Sequence, residues 1–255
     1  MGGDILPGKK IFLGGLHPIT LMSRKITEIL QSIGYTYFDS PEIDSTENNF
    51  TLLNIPEGHS ARSYQDTFYL SDTLVLRTHT SNTQIRVLRE RFVEKELKAY
   101  TVGKVYRRDE DDFSHTHQFT QIEGFMVGKN ISFAYLKGTL EFLLKEMFDN
   151  IDLIYRFRPS FFPFTNPSIE VDIKCIKCVG EGCSVCKQSG WVEVLGAGLI
   201  HTSVLKNCGY DVRKFSGLAF GLGVERLLMI KYGIEDIRCL YENDLRFLKQ
   251  FVEGI

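Results

Sequence analysis

The chain has 255 residues, with 30 Lys+Arg against 32 Asp+Glu for a formal net charge of -2, and 43% of its residues are apolar. A chain this long buries roughly three quarters of its unfolded surface and needs no disulfide framework, and the near-neutral balance excludes a polybasic protein that holds nucleic acid by bulk charge. No run approaches the roughly 18 consecutive apolar residues of a membrane-spanning helix, and the start at Met1-Gly2-Gly3-Asp4-Ile5-Leu6 lacks a signal-peptide core, so a cytoplasmic protein is expected.

No solenoid-period repeat, low-complexity tract or clear linker divides the sequence, and residues 1–255 are expected to form a single domain. Ile19, Met22, Ile26, Ile29, Leu30 and Ile33 share a helical face that Gly34 closes. Ser81 and Gln84 have capping-box spacing ahead of Ile85, Leu88 and Phe92. Period-two segments follow at 100–107 and 118–127, then a helix from Ser132 to Asp149 through Leu136, Leu140, Leu143 and Met147. Further alternating segments at 154–158, 169–174, 191–195 and 216–220 precede a helix after Gly223 that carries Val224, Leu227, Leu228 and Ile230. Strands clustered in this way predict an α+β fold with an antiparallel sheet flanked by helices, rather than a doubly wound parallel one.

Four segments carry chemistry. In Gln118 to Phe125, strand alternation puts Phe119, Gln121 and Glu123 on one face and Thr120 and Ile122 on the other. A ring, an amide and a carboxylate there can stack a heterocycle and accept from an ammonium group, although a solvated strand face fits the same pattern. Upstream, Tyr106 to His115 is a strand end entering a charged loop, where an arginine could fork a phosphate or the loop could be a plain hairpin tip. Gly217 to Arg226 combines glycines with an arginine in a helix's first turn, a pattern that phosphate sites and close helix packing both select. Cys175-x2-Cys178-x4-Cys183-x2-Cys186 supplies two knuckles suited to one tetrahedral Zn²⁺, with Gly180 and Gly182 easing the turn; metal-free thiols or an iron–sulfur cluster are the alternatives. Cys208 and Cys239 read as packing residues.

The first three segments, in this order, resemble motifs 2 and 3 of class II aminoacyl-tRNA synthetases, and Gly34 to Pro41 resembles motif 1. The wording at 14–18 (Gly-Gly-Leu-His-Pro), 66–68 (Asp-Thr-Phe), 77–81 (Arg-Thr-His-Thr-Ser), 156–164 (Arg-Phe-Arg-Pro-Ser-Phe-Phe-Pro-Phe) and 242–251 (Glu-Asn-Asp-Leu-Arg-Phe-Leu-Lys-Gln-Phe) is similar to the α-subunit family of bacterial-type phenylalanyl-tRNA synthetases over nearly the whole chain. That resemblance implies activation of phenylalanine by ATP to an adenylate, then transfer to tRNA(Phe). It implies that Arg107 holds the α-phosphate, that Arg226 meets the γ-phosphate side and covers an adenine stacked on Phe119, that His115 assists the β- and γ-phosphates, and that Asp109 approaches the adenine amine. Gln121 and Glu123 would receive the amino acid's ammonium beside His79 and Ser81, with its ring against Phe162 and Phe164 over a floor at Ala219. Ordinary core packing is the other account of those two phenylalanines.

The resemblance further implies Mg²⁺ with the ATP and a larger β subunit in an (αβ)2 assembly. The family's amino-terminal tRNA-gripping helical hairpin has no counterpart in the 255 residues. Some members carry the cysteine insertion at 175–186 and others a short loop, so catalysis is expected not to depend on it. Three positions depart from common family wording. Thr120 replaces a His on the far strand face and is expected to matter little. Asn166 stands where many relatives have Glu, which turns attention to Glu193 as a Mg²⁺ ligand. His201-Thr202 reads as a loop variation. Two other functions fit part of the pattern: a synthetase-like ligase with a non-tRNA acceptor, and a non-catalytic regulatory or RNA-binding paralogue. The presence of Arg107, Glu123 and Arg226 counts against the second.

Overall fold

A computed structural model describes residues 14–90, 96–149 and 153–251; the amino-terminal start and Phe92 lie outside them. In chain order the elements are α1 (Pro18–Ser32), β1 (Thr36–Tyr37), β2 (Ile43–Ser45), β3 (Leu74–Leu76), α2 (Asn82–Glu90), β4 (Leu97–Tyr106), β5 (Gln118–Gly128), α3 (Phe133–Met147), β6 (Tyr155–Phe162), β7 (Thr165–Lys174), β8 (Trp191–Ile200), α4 (Thr202–Asn207), β9 (Ser216–Gly223), α5 (Val224–Tyr232) and α6 (Leu245–Leu248). None of the helices among the described residues is long and apolar enough to cross a membrane.

Local chemistry sets the helix ends. Pro18 opens α1, where the His17 ring accepts the Ile19 N–H at 3.2 Å, and Gly34 turns the chain away at φ 87°. The Ser132 hydroxyl caps α3 by accepting from the Tyr135 N–H at 3.2 Å. Ser81 and Gln84 do not form the predicted capping box; both side chains reach across to Glu123 instead. His201 is a helix cap rather than part of a loop, its Nδ1 accepting the Ser203 N–H at 3.1 Å to start α4.

Seven strands form one sheet in the order β1-β4-β5-β9-β8-β7-β6, and β2 pairs with β3 separately. Every neighbouring pair in the large sheet is antiparallel except β1–β4, a two-residue parallel edge. The predicted α+β class holds and each predicted strand is present, but β4 and β7 begin earlier, at Leu97 and Thr165, and β6, β8 and β9 run on to Phe162, Ile200 and Gly223. The extension of β6 places Phe162-Pro163-Phe164 at a hairpin tip.

Alternation divides the sheet's two faces. Ile122, Leu218 and Phe220 point to a core closed by Met22, Ile26 and Leu30 of α1, by α3, and by Leu227 and Leu228 of α5. Each such side chain taken from water contributes on the order of 1.5–3 kcal/mol. On the opposite face Phe125 and Ala219 meet Phe50, Leu53, Ile85 and Leu88. That second core covers only part of its face. The uncovered part is floored by β8 and β9, where Gly196 pairs with Gly221 and Gly198 with Ala219, so almost no side chain rises from it.

Arg77 ties the segment after β1 to this sheet. It is only 2% exposed and donates to the Lys104 carbonyl (2.7 Å), the Ser40 carbonyl (2.8 Å) and the Ser40 hydroxyl (3.0 Å). Gly103 makes room for it, since a Cβ there would lie 1.9 Å from its guanidinium.

Candidate active site

The open trough is a cavity of about 690 Å³, and all but one of the side chains singled out for amino acid or nucleotide line it. The exception is Asp109, which lies on the loop beyond, where its charge acts on Arg107.

At one end stands Glu123, 3% exposed and held on several sides. Ser81 Oγ donates to it at 2.6 Å, Thr80 Oγ1 and Gln121 Nε2 approach at 3.4 Å, and Gln84 Nε2 donates to its other oxygen. Burial nevertheless pushes the carboxyl up to about 7, because these donors only partly replace lost water. A bound ammonium would supply the missing charge. Thr80 and Gln84 escaped the sequence reading: they meet Glu123 only through tertiary packing, 43 and 39 residues apart in sequence.

Aromatic rings wall the same end. Phe162 and Phe164 are half-buried at the hairpin tip, their ring centres 5.9 Å apart and planes 12° apart; both wall the cavity, and Phe164 also packs against the second core. Asn54 Nδ2 holds that tip through the Pro163 carbonyl at 2.7 Å. Beneath Phe162 the floor is Gly196; a Cβ there would come within 2.9 Å of the ring. His79 lies 6.0 Å from Phe164. Neither of its ring nitrogens has a well-aligned partner, although the Asn49 backbone lies close enough to favour protonation slightly, and burial followed by the Arg107 charge brings its pKa down to about 3. The ring is therefore neutral at pH 7.

The other end is charged. Arg107 follows β4, its Nε donating to the Thr78 carbonyl at 3.1 Å and its guanidinium carbon 5.0 Å from the centre of the Phe119 ring. Arg226 enters from the first turn of α5, which begins directly after β9. Burial lowers its pKa and the nearby Glu193 charge raises it. The Glu193 carboxyl is raised, first by burial and then by Glu170. His115 is exposed at the rim, with Nδ1 3.1 Å from Asp112 and 3.0 Å from the Ser114 hydroxyl. The backbone N–H of Ser114 and the His115 ring hold Asp112 well below the usual carboxylate range.

Behind Phe119, the strand face that carries Thr120 is part of the support. Glu225 accepts the Thr120 N–H at 2.8 and 2.9 Å and the Tyr241 hydroxyl at 2.5 Å, while Lys104 Nζ donates to Thr120 Oγ1 at 2.9 Å. This network clamps β5 to the helix that carries Arg226; Glu225 takes the main-chain N–H of position 120, which any residue but proline supplies, and Lys104 meets the Thr120 hydroxyl.

The cysteine cluster forms between β7 and β8. All four sulfurs lie within 4.8 Å of one another, and the Cys175–Cys183, Cys178–Cys186 and Cys183–Cys186 separations are 3.8, 3.7 and 3.7 Å. Four thiolates around one Zn²⁺ at 2.3 Å would be about 3.8 Å apart, so the donor set fits that ion. The N–H groups of Gly182, Cys183 and Gly190 point at Sγ of Cys178 or Cys186, at 3.2, 3.1 and 3.3 Å, and can stabilise thiolate charge. Lys187, directly after the last cysteine, also lines the cavity; the sequence reading missed it because spacing alone does not reveal a turn's direction.

Comparison with known proteins agrees with this geometry. The family model described as tRNA synthetases class II core domain (F) matches residues 4–251. A phenylalanine–tRNA ligase alpha subunit from Macrococcus caseolyticus is 52% identical over 247 residues, 97% of this chain and 69% of that protein. Those of Staphylococcus saprophyticus and Staphylococcus aureus are 51% and 50% identical over 246 residues, 96% of this chain and 70% of each. With a class II core, an aromatic-walled carboxylate pocket and two arginines sharing one cavity, the chain belongs to the class II aminoacyl-tRNA synthetases, in the family of phenylalanine–tRNA ligase alpha subunits.

Proposed function

We propose that the chain activates phenylalanine with ATP and passes it to tRNA(Phe) in the cytoplasm, as the catalytic subunit of an assembly with a larger β subunit. The observation that carries this reading is Glu123, a buried carboxylate at the end of an aromatic-walled pocket that opens directly onto Arg107 and Arg226. The phenyl ring lies against Phe162 and Phe164, and the ammonium meets Glu123 and Gln121. The amino acid's carboxylate then faces the α-phosphate of an ATP whose adenine rests on Phe119. Its attack forms the mixed anhydride as the bond to pyrophosphate breaks. Arg107 neutralises charge on the α-phosphate, while Arg226 and His115 steady the leaving pyrophosphate. In the second step the tRNA ribose hydroxyl attacks the carbonyl and AMP leaves. Positioning and charge neutralisation suffice, and no side chain acts as nucleophile.

Mg²⁺ would supply further charge neutralisation on the phosphates, and Glu193, which lines the charged end of the cavity, would help hold it. Glu193 is not a spatial substitute for a carboxylate at 166. It pairs with Asp172, six residues along β7 from Asn166, or about 20 Å at 3.3 Å per residue. The cysteine knuckle holds a structural Zn²⁺.

The test is phenylalanine-dependent ATP–pyrophosphate exchange by the chain co-expressed with the β subunit. Exchange with phenylalanine and not with other amino acids is expected, and Arg226→Ala should abolish it. An αβ assembly that binds ATP but shows no amino-acid-dependent exchange would refute the reading.

A further inference from the structure

The turn after Cys186 is fixed to an unusual degree. Lys187 and Gln188 are both left-handed, at φ 50° and 64°, and Gly190 follows at φ 75°. Their N–H groups are all used: Lys187 donates to the Ser184 carbonyl (3.2 Å), Gln188 to the Cys183 carbonyl (2.9 Å) and Gly190 to Cys186 Sγ (3.3 Å). Gly190 also packs on the Gly180 backbone, where a Cβ would meet the carbonyl oxygen at 2.4 Å, and its own carbonyl accepts the Cys175 N–H at 2.8 Å. Two successive left-handed residues other than glycine are costly, and the loop wrapped around the four sulfurs imposes them.

The side chain so directed lines the cavity. The order of residues along β8 fixes the end it serves. The turn leads into Trp191 and Glu193, whose charge acts on Arg226, whereas Gly196, under Phe162, comes three residues later. Lys187 therefore stands with the arginines and away from the amino-acid pocket. It is exposed, and among the described residues its ammonium has no ion pair or hydrogen bond. Arg156 and Arg158 on the adjacent hairpin are, by contrast, occupied by Asp172 and Glu170.

We propose that Lys187 binds the polyphosphate of the nucleotide, contacting the β- and γ-phosphates of ATP and the pyrophosphate product, and that the metal-loaded knuckle holds it in place. The proposal deepens the functional reading above and rests on it. It assigns the insertion a part in substrate binding, where the resemblance to the family implies none. An ammonium on a flexible stem is suited to this task, since it follows the phosphates as pyrophosphate departs.

The test uses the αβ assembly, with a non-hydrolysable ATP analogue and inorganic pyrophosphate titrated separately by calorimetry. Lys187→Ala should weaken both by about tenfold, Lys187→Arg should recover most of the loss, and the phenylalanine KM and melting temperature should stay unchanged. Stripping the metal from the wild type with a chelator should weaken both ligands to the same degree, and stripping it from Lys187→Ala should add nothing. Unchanged affinity for both ligands in Lys187→Ala would overturn the proposal, as would an additive effect of chelation. Because binding is read directly, an assembly without phenylalanine-dependent exchange would sink the functional reading while these titrations still decided this one.

Discussion

Lowering the pH should loosen phenylalanine well before it affects the nucleotide, and Glu123 is the reason. Its carboxyl is raised from the ordinary 4.5 to about 7 by burial, and the ammonium needs the ionised form. The ionised fraction is then about ten-elevenths at pH 8 and one-eleventh at pH 6, so the phenylalanine Kd should rise about tenfold between them. Binding at pH 6 should release close to one proton, which calorimetry in buffers of different ionisation enthalpy measures directly. His79 does not compete, because at a pKa of about 3 it stays neutral throughout. Stability moves in a consistent direction. A carboxyl whose folded pKa lies above its unfolded value binds protons preferentially in the folded state, so the empty protein loses stability as pH rises from about 4.5 to 7. Glu123→Gln should therefore stabilise the empty protein at pH 8, by as much as about 3 kcal/mol, while weakening phenylalanine at least about thirtyfold and flattening its pH profile. A wild-type Kd that stays constant from pH 8 to pH 6 with no proton release would refute this account of the site.

Three further outcomes are expected. Gly196→Ala places a Cβ within 2.9 Å of Phe162; the ring must shift, and the phenylalanine KM should rise about tenfold, an overpacking effect on the order of 1–3 kcal/mol, with the ATP KM unchanged in exchange assays. Atomic emission should find one zinc per chain, and Cys178→Ser should bind it at least about tenfold more weakly, with a lower melting temperature. Arg77→Met strands the Ser40 and Lys104 carbonyls that its guanidinium serves, and urea unfolding should show a loss of about 2–4 kcal/mol.

What could be read from the sequence divides along physical lines. The long helices are legible because one apolar stripe faces one core, and the face of β5 because alternation fixes side-chain direction whatever the partner. The cysteine knuckle is legible because its ligands are close in sequence. The two- and three-residue strands β1, β2 and β3 are too short to carry a period. Gln84 was misassigned because the spacing that makes a helix cap is indistinguishable, within one helix, from a side chain recruited by a carboxylate on a distant strand. The support behind Phe119 is hidden for a similar reason: alternation says which face Thr120 is on, but not that Glu225, Lys104 and Tyr241 converge there.

The strand order carries a consequence for how the molecule is made. The strand at the centre of the sheet, β9, is the last strand of the sheet to be synthesised, and it joins β5 to β8. From the end of β5 at Gly128 to the start of β9 at Ser216, about 90 residues must emerge before the exposed edge of β5 finds its partner. At ribosomal speeds of about 5–20 residues per second that edge waits for several seconds or more, a long interval for an open apolar strand in a crowded cell. The two halves of the cavity are in place only as halves until then: Glu123 and Phe119 on one side, Phe162 and Glu193 on the other. The nascent chain thus spends its most vulnerable period with the parts of its chemistry already synthesised but not yet joined, and chaperones that shield strand edges should matter more to its yield than any single core residue.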